Sequence, residues 1–277
     1  MKKLNHFLKW NGKKIYELAS TDFRIQASFR VVLLLNVVAI VMGLLAYFFL
    51  AKVFEEGGMG GQARFPGGYF PFLVIGVSAF QFMNIALGSF SNGLRQQQQS
   101  GILDLLFLTR TPLRLSLVYG FLITLVYGAI QFIAYLLISR FAFSMMFPLG
   151  QLLKVLIILM VLGISLIPWA FLSAAFIIFF KKTDPMFLVL SGASSLLSGV
   201  YFPISVLPEK IQFFSKCLPL TFSTHVLRNL LISGQGFGEL SEDLLGLAVL
   251  TLVLFPVAWG LLSWALFQSR RRGCLSV

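Results

Sequence analysis

Six long stretches of this chain contain no Asp, Glu, Lys or Arg. Each stretch is at least as long as the roughly 20 apolar residues that a helix needs to cross about 30 Å of hydrocarbon. A helix in water would need a polar face, and these stretches supply almost none. The pattern predicts an all-α integral membrane protein with six transmembrane helices, formed by residues 1–277 as one domain. The stretches lie between Arg30 and Lys52, Arg64 and Arg95, Arg114 and Arg140, Lys154 and Lys181, Asp184 and Glu209, and Asp243 and Arg270.

Composition and charge agree with this prediction and orient the chain. Hydrophobic residues make up 58% and charged residues 12%, a balance typical of membrane proteins rather than soluble ones. The net charge of +12 does not indicate nucleic-acid binding, because the basic residues flank the apolar stretches. If the N-terminus is cytoplasmic, 15 of the 22 Lys and Arg fall on the cytoplasmic side. This asymmetry predicts that both termini are cytoplasmic.

Three segments outside the predicted spans have patterns of their own. Residues 1–29 place apolar side chains at helical spacing between lysines, which predicts a helix along the cytoplasmic surface. A solvated basic tail is the alternative. Residues 95–110 predict a short cytoplasmic helix with a wide apolar face. Residues 201–243 are too apolar for an ordinary loop and too interrupted by proline for a span, which predicts short re-entrant helices in the outer leaflet.

The fifth predicted span follows a tight cytoplasmic turn at Lys181 to Pro185 and is rich in small residues. Ser191, Ser195 and Gly199 lie four residues apart, a spacing that lets helices approach closely in lipid. We interpret them as a helix-packing stripe, which serves either within the chain or between subunits. The polar residues inside the predicted spans hold helices together or line a pathway; they are Asn36, Gln81, Asn84 and Gln131.

The chain lacks the residue patterns of a catalytic site, and we expect it to be non-catalytic with no cofactor. Gly12 to Lys14 lacks the upstream glycine and the following Ser or Thr of a phosphate-binding loop. His6 and His225 are isolated from each other and from cysteine, which argues against a metal site. The predicted spans contain no acid, which counts against a secondary transporter or a membrane enzyme with a proton relay. Energy for any work must then come from another protein.

Two stretches of residues resemble a known family. After the second predicted span, Gly101-Ile102-Leu103-Asp104 and Thr111-Pro112 stand where membrane subunits of type-two ABC exporters commonly have Gly-Thr-Leu-Glu and Thr-Pro. Residues 199–203, 207–208 and 218–221, with Arg228, are similar to the outer re-entrant signature of that family. The order of elements is similar over nearly the whole chain. Gln96 to Gln99 depart from the family, in which these positions are often acidic, and this weakens the expectation of an ion pair there.

The resemblance implies a permease subunit in the bacterial inner membrane that forms a dimer, with itself or with a related chain, and docks a cytoplasmic ABC ATPase. It implies two groups of functional residues. The expected ATPase-coupling residues are Gly101, Leu103, Asp104, Leu106, Thr111, Pro112, Lys181, Lys182, Asp184 and Pro185. The expected outer-gate residues are Tyr201, Pro203, Pro208, Pro219, Thr221 and Arg228.

The resemblance leaves several alternatives open. Asp104 either meets the ATPase or is a solvated or helix-capping carboxylate. The substrate is expected to be amphipathic or lipid-linked, and a glycan, a lipid and a drug fit equally well. An alternative function is an ATPase-coupled complex that signals or remodels the envelope without transporting a substrate.

Overall fold

The computed structural model describes residues 30–56, 65, 67–99, 113–145, 147–180, 185–236, 238 and 240–271. The predicted surface helix at 1–29 lies outside the described residues, and so does most of the predicted cytoplasmic helix at 95–110. Residues 181–184 of the predicted turn are also outside them. The chain divides into two compact units between Ala46 and Tyr47.

The described residues are helical and contain no strand. They form eight α-helices and two short 3-10 helices. The α-helices are α1 (Arg30–Glu56), α2 (Tyr69–Gln99), α3 (Leu113–Phe143), α4 (Leu152–Phe180), α5 (Pro185–Leu197), α6 (Glu209–Ser215), α7 (Pro219–Leu231) and α8 (Ser241–Arg271). The 3-10 helices are Leu149–Gln151 and Ile204–Val206.

Five of these helices are long and apolar enough to cross a membrane. Their apolar parts are Leu34–Glu56, Tyr69–Ser89, Gly120–Phe143, Leu152–Ile178 and Ser241–Ala265. They coincide with the first four spans and the last span predicted from the charge pattern. The prediction of a multi-pass helical protein is confirmed at this level.

The helix at the fifth predicted span is shorter than the other five. Helix α5 has 13 residues, which corresponds to about 20 Å at 1.5 Å per residue. It ends at Leu197, and Gly199 in the following turn has φ 73°. A backbone with positive φ is readily adopted by glycine and disfavoured for residues with a Cβ. The turn at Gly199 therefore ends the helix before it reaches the length of a full span.

Helix α2 lies at the centre of the unit that begins at Tyr47. It packs against α3, α4, α5 and α7, while α4 also packs against α8. In an 18-residue apolar window of α2, 72% of residues are buried, against 11% in the corresponding window of α8. Large apolar side chains of α8 such as Leu252 and Trp264 are exposed. Such a face suits a helix whose surroundings are lipid or another protein.

Residues 198–240, which we call the connecting segment, join α5 to α8 through short helices. Its prolines stand at helix starts, since Pro203 precedes the 3-10 helix, Pro208 precedes α6 and Pro219 is the first residue of α7. Proline suits these positions because its fixed φ matches the first turn and its missing N–H is not needed there. Helix α7 buries much of its surface against α2, α4 and α8. The segment is therefore a packed part of the bundle.

Candidate functional site

Arg228 of α7 is the centre of the most specific polar cluster in the described residues. Its guanidinium carbon lies 3.4 Å from the centroid of the Phe72 ring. Its Nη2 donates hydrogen bonds to the backbone oxygen of Phe72 at 3.0 Å and to that of Val200 at 3.1 Å. Its Nε is 3.3 Å from the same Phe72 oxygen. One side chain thus joins α7 to the first turn of α2 and to the turn that follows α5.

Backbone carbonyl oxygens and the Phe72 ring, rather than a carboxylate, stabilise the positive charge of Arg228. Among the described residues it makes no ion pair; the pairs present there join Lys52 to Glu56 and His225 to Asp243. Burial lowers the pKa of the Arg228 guanidinium to about 9, so the group stays cationic at neutral pH. Carbonyl oxygens and an aromatic face are both attractive to a cation and carry no formal charge. The cluster therefore keeps a net positive charge.

Gly76 makes the close approach of Arg228 possible. A Cβ at position 76 would lie 2.5 Å from Nη2 of Arg228 and 2.5 Å from the backbone oxygen of Val200. Neither distance is compatible with van der Waals contact. Gly76 was not among the functional residues predicted from the sequence. A glycine inside an apolar helix indicates close packing at that position, because glycine weakens a helix and usually has a packing reason there.

A second contact ties the same two regions together. The Tyr69 hydroxyl donates to the backbone oxygen of Tyr201 at 2.9 Å. The backbone N–H of Tyr69 is 3.4 Å from Oε1 of Glu55, and a carboxylate at a helix N-terminus is favourable for the helix dipole. The structure therefore brings two predicted outer-gate residues, Tyr201 and Arg228, to the first turns of α2. Sequence reasoning missed Phe72 and Tyr69, which read as ordinary apolar residues at the start of a span.

The other predicted outer-gate residues stabilise the connecting segment from within. Thr221 is buried and donates to the backbone oxygen of Ser215 at 2.6 Å, which links α7 to the end of α6. Thr224, which the sequence analysis did not select, donates to the oxygen of Ser198 at 3.1 Å. Pro203, Pro208 and Pro219 begin the short helices. Of these three prolines, Pro203 lines the same cavity as Arg228.

The small-residue stripe of α5 is divided between three environments. Ser191 donates to Oδ1 of Asn84 on α2 at 2.7 Å, so it forms a contact between helices of one chain. Ser195 donates to the oxygen of Gly192 in its own helix. Gly199 lies beyond the end of the helix, in the turn. The bond of Ser191 to Asn84 agrees with the interpretation of that amide as a link between helices.

The predicted coupling residues are almost all outside the described residues. This holds for Gly101, Leu103, Asp104, Leu106, Thr111, Pro112, Lys181, Lys182 and Asp184. Pro185 is described and is the first residue of α5. Helix α2 continues through Gln99, so the first residues of the predicted cytoplasmic helix continue the second span without a break.

Comparison with known families identifies the chain. A family model described as ABC-2 family transporter protein matches residues 55–264. The match extends from the end of α1 to the last turns of the apolar part of α8 and therefore includes the Arg228 cluster. A comparison with curated protein sequences gave no match. Members of this family are generally non-catalytic membrane subunits. The chain belongs to the ABC-2 transporter family and is a multi-pass membrane subunit, a permease, of an ABC transporter.

Proposed function

We propose that the protein is the permease of an ATP-driven exporter, in which two permease chains form the substrate pathway and a separate cytoplasmic ABC ATPase supplies the energy. The observation that carries this proposal is the family match over residues 55–264. The exposed apolar faces of the spanning helices are consistent with contacts to lipid and to a second chain. The expected substrate is amphipathic or lipid-linked, which suits a chain rich in apolar and aromatic side chains.

In this proposal the permease lies in the inner membrane of a bacterial cell with both termini in the cytoplasm. The support is the asymmetry of basic residues, with 15 of the 22 Lys and Arg on the cytoplasmic side. The connecting segment is then on the outer side and the segment at 95–110 is on the cytoplasmic side.

We assign the role of outer lid to the connecting segment. It packs on α2, α4 and α8, and the side chains of Arg228 and Tyr69 join it to the start of α2. Movement of α2 would therefore be transmitted to the lid. Because hydrogen bonds to a charged group are stronger than neutral ones, the Arg228 contacts supply most of this connection.

Coupling to the ATPase is assigned to the segment 95–110 and the turn at 181–185. A partner can move a membrane domain only through contacts that differ between its own states. Helix α2 runs from the lid through Gln99 towards the first of these segments. It offers a continuous helical connection of 31 residues between the coupling segment and the lid.

The test is reconstitution of the permease with its ATPase. The affinity-tagged chain, purified from its native membrane, should carry an ABC ATPase, and vesicles containing both proteins should move substrate only when ATP is supplied on the ATPase side. The isolated permease should hydrolyse no ATP above background. An isolated, homogeneous chain that hydrolyses ATP would refute the assignment. A complex that hydrolyses ATP in the cell envelope but transports nothing would favour the envelope-remodelling alternative.

A further inference from the structure

A cavity of about 380 Å³ opens beside Arg228. This volume lies at the lower end of the range for small-ligand sites. Its walls come from the first turn of α2, the 3-10 helix of the connecting segment and one face of α7. The wall is largely apolar and also carries polar side chains of the connecting segment; they are Ser205, Thr221, Thr224, His225, Asn229 and Ser233. No carboxylate is among the described residues that line the cavity.

The Arg228 guanidinium brings a positive charge to this cavity that the protein does not neutralise. Its Nε and Nη2 donate to carbonyl oxygens, whereas Nη1 has no hydrogen-bond partner among the described residues. Two acids lie near the cluster, and each contacts a group other than Arg228. Asp243 lies 2.5 Å from Nδ1 of His225, and Glu55 lies at the N–H of Tyr69. Arg228 is half-buried, and the carbonyl oxygens and the ring that it contacts carry no formal charge, so its positive charge can attract an anion into the cavity.

The hydroxyls around the cavity include donors that are available to a ligand. Ser205 and Ser233 are exposed and make no side-chain hydrogen bond among the described residues. Thr221 and Thr224, in contrast, already donate to backbone oxygens. The cavity therefore offers a guanidinium N–H and two hydroxyls. This is a donor set suited to the oxygens of a phosphate group.

The cavity lies at the level where two membrane spans begin. Phe72 is in the first turn of α2, whose apolar part starts at Tyr69. Asp243, which pairs with His225 of the cavity wall, is in the first turn of α8, whose apolar part starts at Ser241. In a bilayer the ends of the apolar spans meet the polar head groups. Phosphate groups of lipids are therefore concentrated at this depth.

We propose that this cavity binds a phosphate group, in which Arg228 supplies the charge and the Ser205 and Ser233 hydroxyls supply additional hydrogen bonds. The phosphate can belong to the head group of an anionic glycerophospholipid or be free inorganic phosphate, since the chemistry of recognition is the same. Binding there would bridge α2 and the connecting segment, because Arg228 already contacts both. The site requires no transport activity and does not depend on the proposed exporter function.

Binding to the full-length purified chain tests this inference with two probes. The first probe is phosphatidylglycerol, compared with phosphatidylcholine, with bound lipid counted by native mass spectrometry. The second is radiolabelled inorganic phosphate in equilibrium dialysis. Arg228→Gln removes the charge, and Ser205→Trp fills the cavity from an exposed position without removing an anchor. Lys216→Gln is the matched control, because Lys216 is an exposed basic residue of the same segment that does not line the cavity.

The wild type should bind at least one probe saturably, and phosphatidylcholine should not replace phosphatidylglycerol. Arg228→Gln and Ser205→Trp should weaken binding about tenfold or more, which corresponds to the loss of a charge-assisted hydrogen bond. Lys216→Gln should bind like the wild type. Binding of lipid alone identifies the head group as the ligand, whereas phosphate that binds and displaces the lipid identifies the free anion; both support the site.

The inference is overturned if neither probe binds saturably. It is also overturned if Ser205→Trp, with an unfolding temperature like that of the wild type, binds as tightly as Lys216→Gln. Should Arg228→Gln fail to fold because its carbonyl contacts are lost, the Ser205→Trp result decides, since Ser205 holds no other element in place.

Discussion

Gly76 on α2 and Arg228 on α7 are in direct contact, with only a hydrogen at position 76 where another residue would have a Cβ. That Cβ would be 2.5 Å from Nη2 of Arg228. The two residues are separated by about half the chain, and their fit holds the connecting segment against the start of a membrane-spanning helix. Substitutions at this contact are therefore expected to change both the stability of the protein and the movement of the proposed lid.

Gly76→Ala should destabilise the protein because the added methyl group displaces the Arg228 guanidinium or the Val200 carbonyl. Overpacking of this kind costs about 1–3 kcal/mol, which lowers the unfolding temperature by several degrees. Gly260→Ala is the matched control, because a Cβ at position 260 has no atom within 4 Å and both substitutions gain the same helix propensity. Thermal unfolding in detergent measures the difference. Equal unfolding temperatures for the two variants would contradict the prediction.

Thr224→Val should loosen the connecting segment without creating a cavity. The substitution keeps the shape of a buried side chain but removes its hydrogen bond to the oxygen of Ser198. The expected cost is about 1 kcal/mol. Thr251→Val serves as the control, because Thr251 bonds only to the oxygen of Leu247 in its own helix among the described residues. Hydrogen exchange of the amides in residues 198–206 should increase in the first variant and not in the second; an equal rate in both would speak against this role.

The membrane orientation predicts opposite accessibility for two positions. In a background without Cys217 and Cys274, a cysteine introduced at Lys210 should react with an impermeant thiol reagent in intact cells, because Lys210 is exposed on α6. A cysteine introduced at Gln97 should react only after the membrane is opened. The reason is the distribution of basic residues across the two sides. Labelling of position 97 in intact cells, with position 210 silent, would reverse the orientation.

The segment at 95–110 should carry energy from the ATPase. Exchange of both Leu103 and Leu106 for Asp places charges on its apolar face, and burying an unpaired charge in a contact is strongly unfavourable. We expect substrate-stimulated ATPase activity and transport to fall to background while membrane abundance is unchanged. Exchange of the same residues for Ile, which keeps the apolar face, is the control and should retain activity. Full transport by the Asp variant would make the segment a passive linker and direct attention to residues 1–29 and 181–185.

Much of the architecture could be predicted from the sequence because the membrane acts on long stretches of residues. The absence of charge between Arg114 and Arg140, for example, is sufficient to place a helix there, and α3 covers that stretch. The prolines of the connecting segment likewise indicated interruptions, and Pro203, Pro208 and Pro219 stand at helix starts. Both signals are local. They reflect the transfer of apolar side chains into hydrocarbon and the fixed φ of proline, which do not depend on distant residues.

The length of α5 and the Arg228 cluster depended on tertiary structure. The stretch between Asp184 and Glu209 has the composition of a span, yet the helix ends at Leu197. The turn after it is held by two side chains of α7, since Thr224 donates to the oxygen of Ser198 and Arg228 to that of Val200. Arg228 could be selected through the resemblance to the exporter family, but Phe72 lies 156 residues away along the chain. Its role, and those of Tyr69 and Gly76, arise only when α7 packs on α2. A cation–ring contact and a carbonyl hydrogen bond require positions defined to within a fraction of an ångström, and no periodic pattern in the sequence encodes such a distance.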